Sequence, residues 1–208
     1  MAQSQVQVSA GFDFLTGLRS LMRQDPEVIF VGEIRDRITA ETAFQASLTG
    51  HMVQTTFHAG SAAGAVSRLS DMGLEPYLLR SGILGILCQR LVRRLCDCAR
   101  PATDAAELLG LPVRSAQVPV GCPQCQGIGY RGRMVLAELL TTRPKELGAA
   151  ILERCDAAEL ERRAVQTGMV TRWVRAVAAV ESGRTSPAEI RRVLGCSGGP
   201  ASEPPAST

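Results

Sequence analysis

Lysine is nearly absent from this chain. Of its 23 basic residues only Lys145 is a lysine, and it stands in Pro144-Lys145-Glu146, so no Gly-Lys pair exists anywhere. That excludes a glycine-rich loop ending in Gly-Lys-Ser/Thr, the element that cradles nucleotide phosphates. Long apolar runs are also missing. Stretches such as Val28-Ile29-Phe30-Val31 fall far short of the ~20 residues a membrane-spanning helix needs. The N-terminus lacks a basic region followed by an apolar core, so no secretory signal is read and a cytoplasmic location is expected. The seven cysteines are odd in number and come without an export signal, which argues against a disulfide framework. A net charge of +3 is too weak, alone, to argue for nucleic acid. No internal repeat is visible.

What is present describes a globular chain. Its 208 residues are 45% hydrophobic and 21% charged, enough for one ordinary domain or two small ones. Phe14, Leu15, Leu18, Leu21 and Met22 recur at helical spacing, and Asp25-Pro26 ends that helix. Residues 28–31 form a short, mostly β-branched run closed by Gly32, which predicts a buried parallel strand. Asp36 or Thr39 caps a second helix through Ala46 or Leu48, with Gly50 as its stop. A strand is predicted over 52–57, a helix over 62–69, and a long, apolar, buried helix over 76–92. Strand and helix alternate, so the predicted fold class is α/β with a parallel sheet. Residues 96–133 are rich in Cys, Pro and Gly and read as a loop-dominated module. Residues 145–194 return to helical pattern, clearest at 171–180 and 187–194, with Ser186 as N-cap before Pro187. Residues 196–208 read as a disordered tail.

Three features carry chemistry. Glu33 follows a buried strand, at the sheet edge where ligands bind in open α/β folds. A carboxylate there orients water for attack on a phosphate, or simply ends a strand at a turn. The only two histidines, His51 and His58, flank the second strand seven residues apart, which places them at opposite ends and argues against a shared metal. His58 lies on the Glu33 edge, whereas His51 reads as structural. Four cysteines form two close pairs, Cys96-Asp97-Cys98 and Cys122-Pro123-Gln124-Cys125. Four thiolates suit tetrahedral zinc, and the alternative is four reduced thiols in a loop. Arg90, Arg93, Arg94 and Arg100 lie beside them, with Tyr130 the module's only stacking aromatic, so no nucleic acid is expected as a partner.

Read in order, Gly17-Leu18-Arg19, Gly32-Glu33-Ile34-Arg35-Asp36, Thr49-Gly50-His51 and Thr56-Phe57-His58 resemble the GspE/PulE/PilB family, the ATPases of type II secretion and type IV pilus assembly. The resemblance continues through Gly-Ala-Val-x-Arg-Leu at 64–69, Asp71-Met72-Gly73-Leu74-Glu75-Pro76, Gln89-Arg90-Leu91-Val92-Arg93, Cys122-x-x-Cys125 and Gly129-Tyr130-Arg131-Gly132-Arg133, covering about residues 5–195. It implies a partial RecA-like core over 1–95 with Walker B and histidine-box segments, a tetracysteine module over 96–133, and a helical subdomain over 134–195. It implies that Glu33 polarises the attacking water and that His58, with Thr55 and Thr56, responds to the γ-phosphate of ATP bound with Mg2+. Arg19 and Arg23 are four apart and either face phosphate or form a solvated helix face. The resemblance further implies a hexameric homo-oligomer acting peripherally at the inner membrane through a platform protein, coupling ATP hydrolysis to pilus or pseudopilus assembly and export. Two departures stand out. The first cysteine pair is one residue short of the family's Cys-x-x-Cys, and the Walker A loop is expected upstream of this chain. Little hydrolysis is therefore expected from the chain alone, and a non-catalytic ring- or platform-binding protein, or a truncated gene product, is the alternative.

Overall fold

Local sequence signals start most of the helices. The computed structural model describes residues 3–195; the tail expected at 196–208, with Cys196, lies outside the described residues. Asp13 caps α1 (Phe14–Leu21) by accepting from the Thr16 amide, and a 3-10 turn (Met22–Gln24) follows. β1 is Val28–Val31. Asp36 caps α2 (Arg37–Leu48), and Gly50 adopts the positive φ of 102° that ends it. β2 is Met52–Thr55. Ser61 caps α3 (Ala62–Asp71), and α4 (Pro76–Gly82) opens with proline at its first turn. β3 (Gly85–Leu95), β4 (Arg100–Pro101), β5 (Gln117–Val118) and β6 (Tyr130–Thr141) come next. Four helices complete the described chain: α5 (Lys145–Leu152), α6 (Ala157–Gln166), α7 (Arg172–Glu181) and α8 (Pro187–Leu194).

The fold is mixed α/β. β1 and β2 pair in parallel, with Val28 opposite Met52 and Val31 opposite Thr55. β3 pairs with β6, and β4 runs antiparallel to β5. The chain divides into two compact units, each discontinuous in sequence. One comprises Met1–Ile86 and Leu139–Met169, the other Leu87–Glu138 and Val170–Thr208. In the first, α2 packs on α1 and α4, and α5 on α4 and α6. In the second, Val92, Leu136, Trp173, Ala176, Val180 and Ile190 form the core, three of them on one face of α7. No described helix is long and apolar enough to cross a membrane.

Three expectations are corrected. The helix predicted over 76–92 ends at Gly82, where an added Cβ would meet the Phe44 ring at 2.5 Å, and the chain turns extended at Ile83. From Gly85 onward burial alternates residue by residue, which is strand periodicity despite the leucines and arginines that favour helix. β6 was likewise hidden by the helix formers of Leu136-Ala137-Glu138-Leu139-Leu140; its pairing with β3 overrides their local preference. Finally, β1 is buried on one face only. Ile29 and Val31 point into the core, while Val28 and Phe30 are 56% and 63% exposed.

Val28, Phe30 and Met52 thus share an open apolar face on the parallel pair. Parallel sheets are ordinarily covered on both faces. The chain on its own is therefore expected to self-associate, and Phe30→Lys with Met52→Lys to weaken that association about tenfold or more, given ~1.5–3 kcal/mol for a buried phenylalanine. Sedimentation velocity checks this; a wild-type monomer at high concentration would contradict it.

Candidate carboxylate edge and metal centre

The parallel pairing brings the carboxyl ends of β1 and β2 to one edge. Just beyond it, the Ile34 amide donates to the Thr56 carbonyl at 3.2 Å, and the Thr56 hydroxyl donates to the Gly32 carbonyl at 2.6 Å. These two bonds clasp the loops that follow the strands. Glu33 leaves the first loop and His58 the second, and His58 Nε2 lies 2.8 Å from Glu33 Oε1. The other carboxylate oxygen accepts from Arg35 Nε at 2.6 Å. The Arg35 guanidinium, with lesser help from His58, holds the Glu33 carboxyl below its ordinary range, against a modest opposing effect of burial. Glu33 is therefore an anion at neutral pH, able to accept a proton or orient a water. The cleft it lines is about 250 Å³ and includes Arg35, Phe57, His58, Arg68 and Met72.

The remaining sequence candidates are placed differently. The Thr55 hydroxyl donates to the neighbouring Thr56 carbonyl at 3.2 Å, and Thr56 serves the clasp. His51 Nδ1 lies 3.1 Å from the Ala46 carbonyl and 3.2 Å from the Thr49 hydroxyl, closing the end of α2. Arg19 and Arg23 are exposed and are not among the residues lining the cleft. The helix tightens to 3-10 form at Met22, so their four-residue spacing does not stack them on one α-helical face. Sequence reasoning gave no role to Arg35 or Arg68. Arg35 was open to view, two residues from Glu33 in a turn.

The second cluster belongs to the other unit. The sulfurs of Cys96, Cys98, Cys122 and Cys125 all lie within 4.8 Å of one another. Three pairs, Cys96–Cys122, Cys98–Cys125 and Cys122–Cys125, measure 3.9, 3.9 and 3.7 Å. Such spacings are far beyond an S–S bond of ~2.05 Å. They match the ~3.8 Å edge of a tetrahedron whose centre-to-sulfur distance is the ~2.3 Å of zinc–thiolate bonds. The donor set and its geometry thus fit Zn2+. Two amides, of Cys122 and Gly129, donate to Cys125 Sγ at 3.1 and 3.2 Å. Burial pushes that thiol up, but these amides outweigh it and bring it down to about 6. For Cys98, the Gly121 amide favours the thiolate, yet burial and hydrogen bonding to the other three sulfurs push it up to about 11. Gly129 needs its lack of side chain: φ is +75°, and a Cβ would meet that of Pro119 at 2.4 Å. The shortened first pair still reaches the cluster, because Cys96 anchors to Gly129 through its amide at 3.0 Å.

Two of the neighbouring arginines are engaged. Arg93 lies 4.1 Å over the buried Tyr130 ring and pairs with Glu189, while Arg100 binds Glu107 at 2.5 Å. Tyr130 is therefore not presented for base stacking.

A family model described as "Type II/IV secretion system protein" matches residues 1–192. The chain is 45% identical over 202 residues to a "Putative type II secretion system protein E" of Escherichia coli, covering 93% of this chain and 40% of that protein. It is 49% identical over 147 residues to the "Type II secretion system ATPase E" of Vibrio cholerae, covering 67% and 29%. It is 42% identical over 178 residues to the "Type IV pilus assembly ATPase PilB" of Thermus thermophilus, covering 81% and 20%. The chain thus spans well under half the length of the curated relatives it matches. Among solved structures, the ATPase DotB of Yersinia pseudotuberculosis superimposes with a TM-score of 0.65 at 22% identity, over 93% of this chain and 43% of that one. That likeness speaks to the fold.

Proposed function

This chain belongs to the Type II/IV secretion system protein family, and from that premise we propose that it is the water-activating and metal-binding portion of a secretion or pilus-assembly motor ATPase. The observation that carries the reading is the Glu33–His58 pair, at 2.8 Å on the carboxyl edge of the parallel strands. In this reading Glu33 accepts a hydrogen bond from the attacking water and orients it, and His58 reports the state of the γ-phosphate to the loop after β2. Arg19 and Arg23 face phosphate in the assembled ring. The residues that hold Mg2+ and cradle the phosphates of ATP elsewhere, a Gly-Lys-Ser/Thr loop, have no counterpart in this sequence. Here the residues of this chain supply the carboxylate, and the phosphate loop is not among them. Cys96, Cys98, Cys122 and Cys125 hold Zn2+, which acts as a structural cross-link. The working form is a hexamer at the cytoplasmic face of the inner membrane, bound to a platform protein.

The test supplies the phosphate-loop half of a relative as a second chain and follows ATP hydrolysis. The chain alone is expected to be inactive and the mixture active. Glu33→Gln is expected to lower the rate of the mixture by about 100-fold or more, the scale of a lost general base. Inactivity of every mixture, with the two chains nonetheless bound, would favour the non-catalytic ring-binding reading.

A further inference from the structure

His58 presents a physical problem. Its side chain is 84% exposed, yet its ring stays 2.8 Å from Glu33. Exposed ion pairs contribute only ~0–1 kcal/mol, too little to fix a solvated side chain. The main chain beneath the ring is held by contacts of its own. The Thr56 clasp fixes the loop two residues earlier. At His58 itself the hold comes from α3: Arg68 Nη1 donates to the His58 carbonyl at 2.7 Å, while its guanidinium lies 5.5 Å over the Phe57 ring. Ser61 starts α3 by accepting from the Gly64 amide, and this start sets where Arg68 emerges, two turns on. One planar group thus grips two consecutive residues, a carbonyl at its edge and an aromatic ring at its face. Lysine could supply the charge at this place but not both contacts.

We propose that Arg68 is a positioning residue that holds His58 against Glu33, acting through the 57–58 main chain. The assignment rests on the reading of Glu33 and His58 given above. It adds a component that links the start of α3 to the reactive edge: a shift of α3 along its axis moves the His58 carbonyl and with it the ring.

The chain contains only two histidines, which makes the test direct. Diethyl pyrocarbonate acylates a neutral, accessible imidazole nitrogen, and mass spectrometry of peptides from the modified chain gives the rates at His58 and His51 separately. His51 is the internal reference. Arg68→Met is expected to speed modification of His58 about three- to fivefold, the most that a surface pair can protect. Glu33→Ala is expected to do the same, and the double variant to show no further gain, because both changes break one contact. Arg68→Lys is expected to match Arg68→Met within about twofold. The rate at His51 and the circular dichroism spectrum should not change. A purely electrostatic role predicts the opposite sign: losing a nearby cation favours the protonated, unreactive ring, so Arg68→Met would slow the reaction and Arg68→Lys would resemble wild type. That result overturns the proposal, as does an unchanged rate at His58 in either single variant. Failure of the motor reading is separable. An inactive mixture with the expected His58 rates removes the ATPase role and leaves the positioning role standing. An active mixture with unchanged His58 rates does the reverse.

Discussion

Replacing Cys125 by serine is expected to abolish stoichiometric zinc binding and to loosen the unit that contains it. Purified from zinc-supplemented medium, the wild-type chain should carry one Zn2+; the C125S chain should carry less than about a tenth of that at the same free metal. Cys125 is singled out by its surroundings. It is buried, it receives amide hydrogen bonds from Cys122 and Gly129, and these lower its thiol and so favour the thiolate that binds metal. Outer-sphere partners of metal sites are worth ~10–100-fold in affinity, and a ligand in this position should be worth at least the upper figure. Metal that binds only the folded form adds to stability by mass action, ~2.7 kcal/mol at a hundredfold excess over its dissociation constant. Chelation should therefore lower the melting temperature of the wild-type chain and leave C125S unmoved. Trp173, the chain's sole tryptophan, sits in the core of the same unit and reports the change by fluorescence. A fully reduced wild-type chain that binds no zinc would sink the tetrathiolate assignment.

Glu189→Ala is expected to destabilise the same unit by ~1.5–3 kcal/mol, the scale of lost hydrogen bonds to charged groups, because the Arg93 and Arg192 side chains it would leave are 39% and 57% exposed and can turn to water. The carboxylate has no exposed surface. It accepts from the Arg93 amide and Arg93 Nε at 2.8 Å each, and from Arg192 Nε and Nη2 at 2.8 and 2.6 Å. Alanine removes the acceptor that both guanidinium groups share. Glutamine keeps part of the hydrogen bonding and should cost roughly half as much. The effect carries a pH signature. Burial alone would raise the Glu189 carboxyl, but hydrogen bonds from Arg192 and Arg93 overcome this and lower it from 4.5 to about 2. A folded-state value below the unfolded one means the contribution is complete above about pH 4.5 and lost as pH falls toward about 2. Urea titrations of wild type and E189Q should thus differ at pH 7 and converge through that window. Equal stability of E189A and wild type at pH 7 would contradict the assignment.

These residues also mark how far the sequence could be read. The cysteine cluster was legible because two close pairs of thiols have the spacing that a tetrahedral metal site needs. The Glu33–His58 edge was legible because a short β-branched run dictates a strand, and a strand delivers its next residue to the edge. α8 was placed to the residue, since Ser186 and Pro187 are both start signals. Glu189 was not legible. It stands three residues after Ser186, in the pattern of a capping pair, and the Ser186 hydroxyl does accept from its amide at 3.2 Å. Its carboxylate instead turns to Arg93, nearly a hundred positions earlier, a pairing no local pattern encodes. The same holds for β3 and β6. Their leucine, arginine and alanine content favours helix, and each is a strand only because the other is. Arg68 was hidden for a related reason: its partners lie across a loop whose closure depends on the parallel pairing of two other segments.

The clamp made by the four sulfurs has a bearing on evolutionary drift. The segment between Cys98 and Cys122 has both ends at the sulfur cluster, and β4, β5, Leu111 and Ala116 tie it to the unit, so its length can vary only in the turns between those ties. Doubling a flexible loop whose ends are already fixed costs only ~0.6 kcal/mol. Insertions there should accumulate between species far faster than in the strands on either side, provided the residues that reach the core, Leu111 and Ala116, keep their places. The same stretch is where a reporter or affinity tag can be grafted with least disturbance.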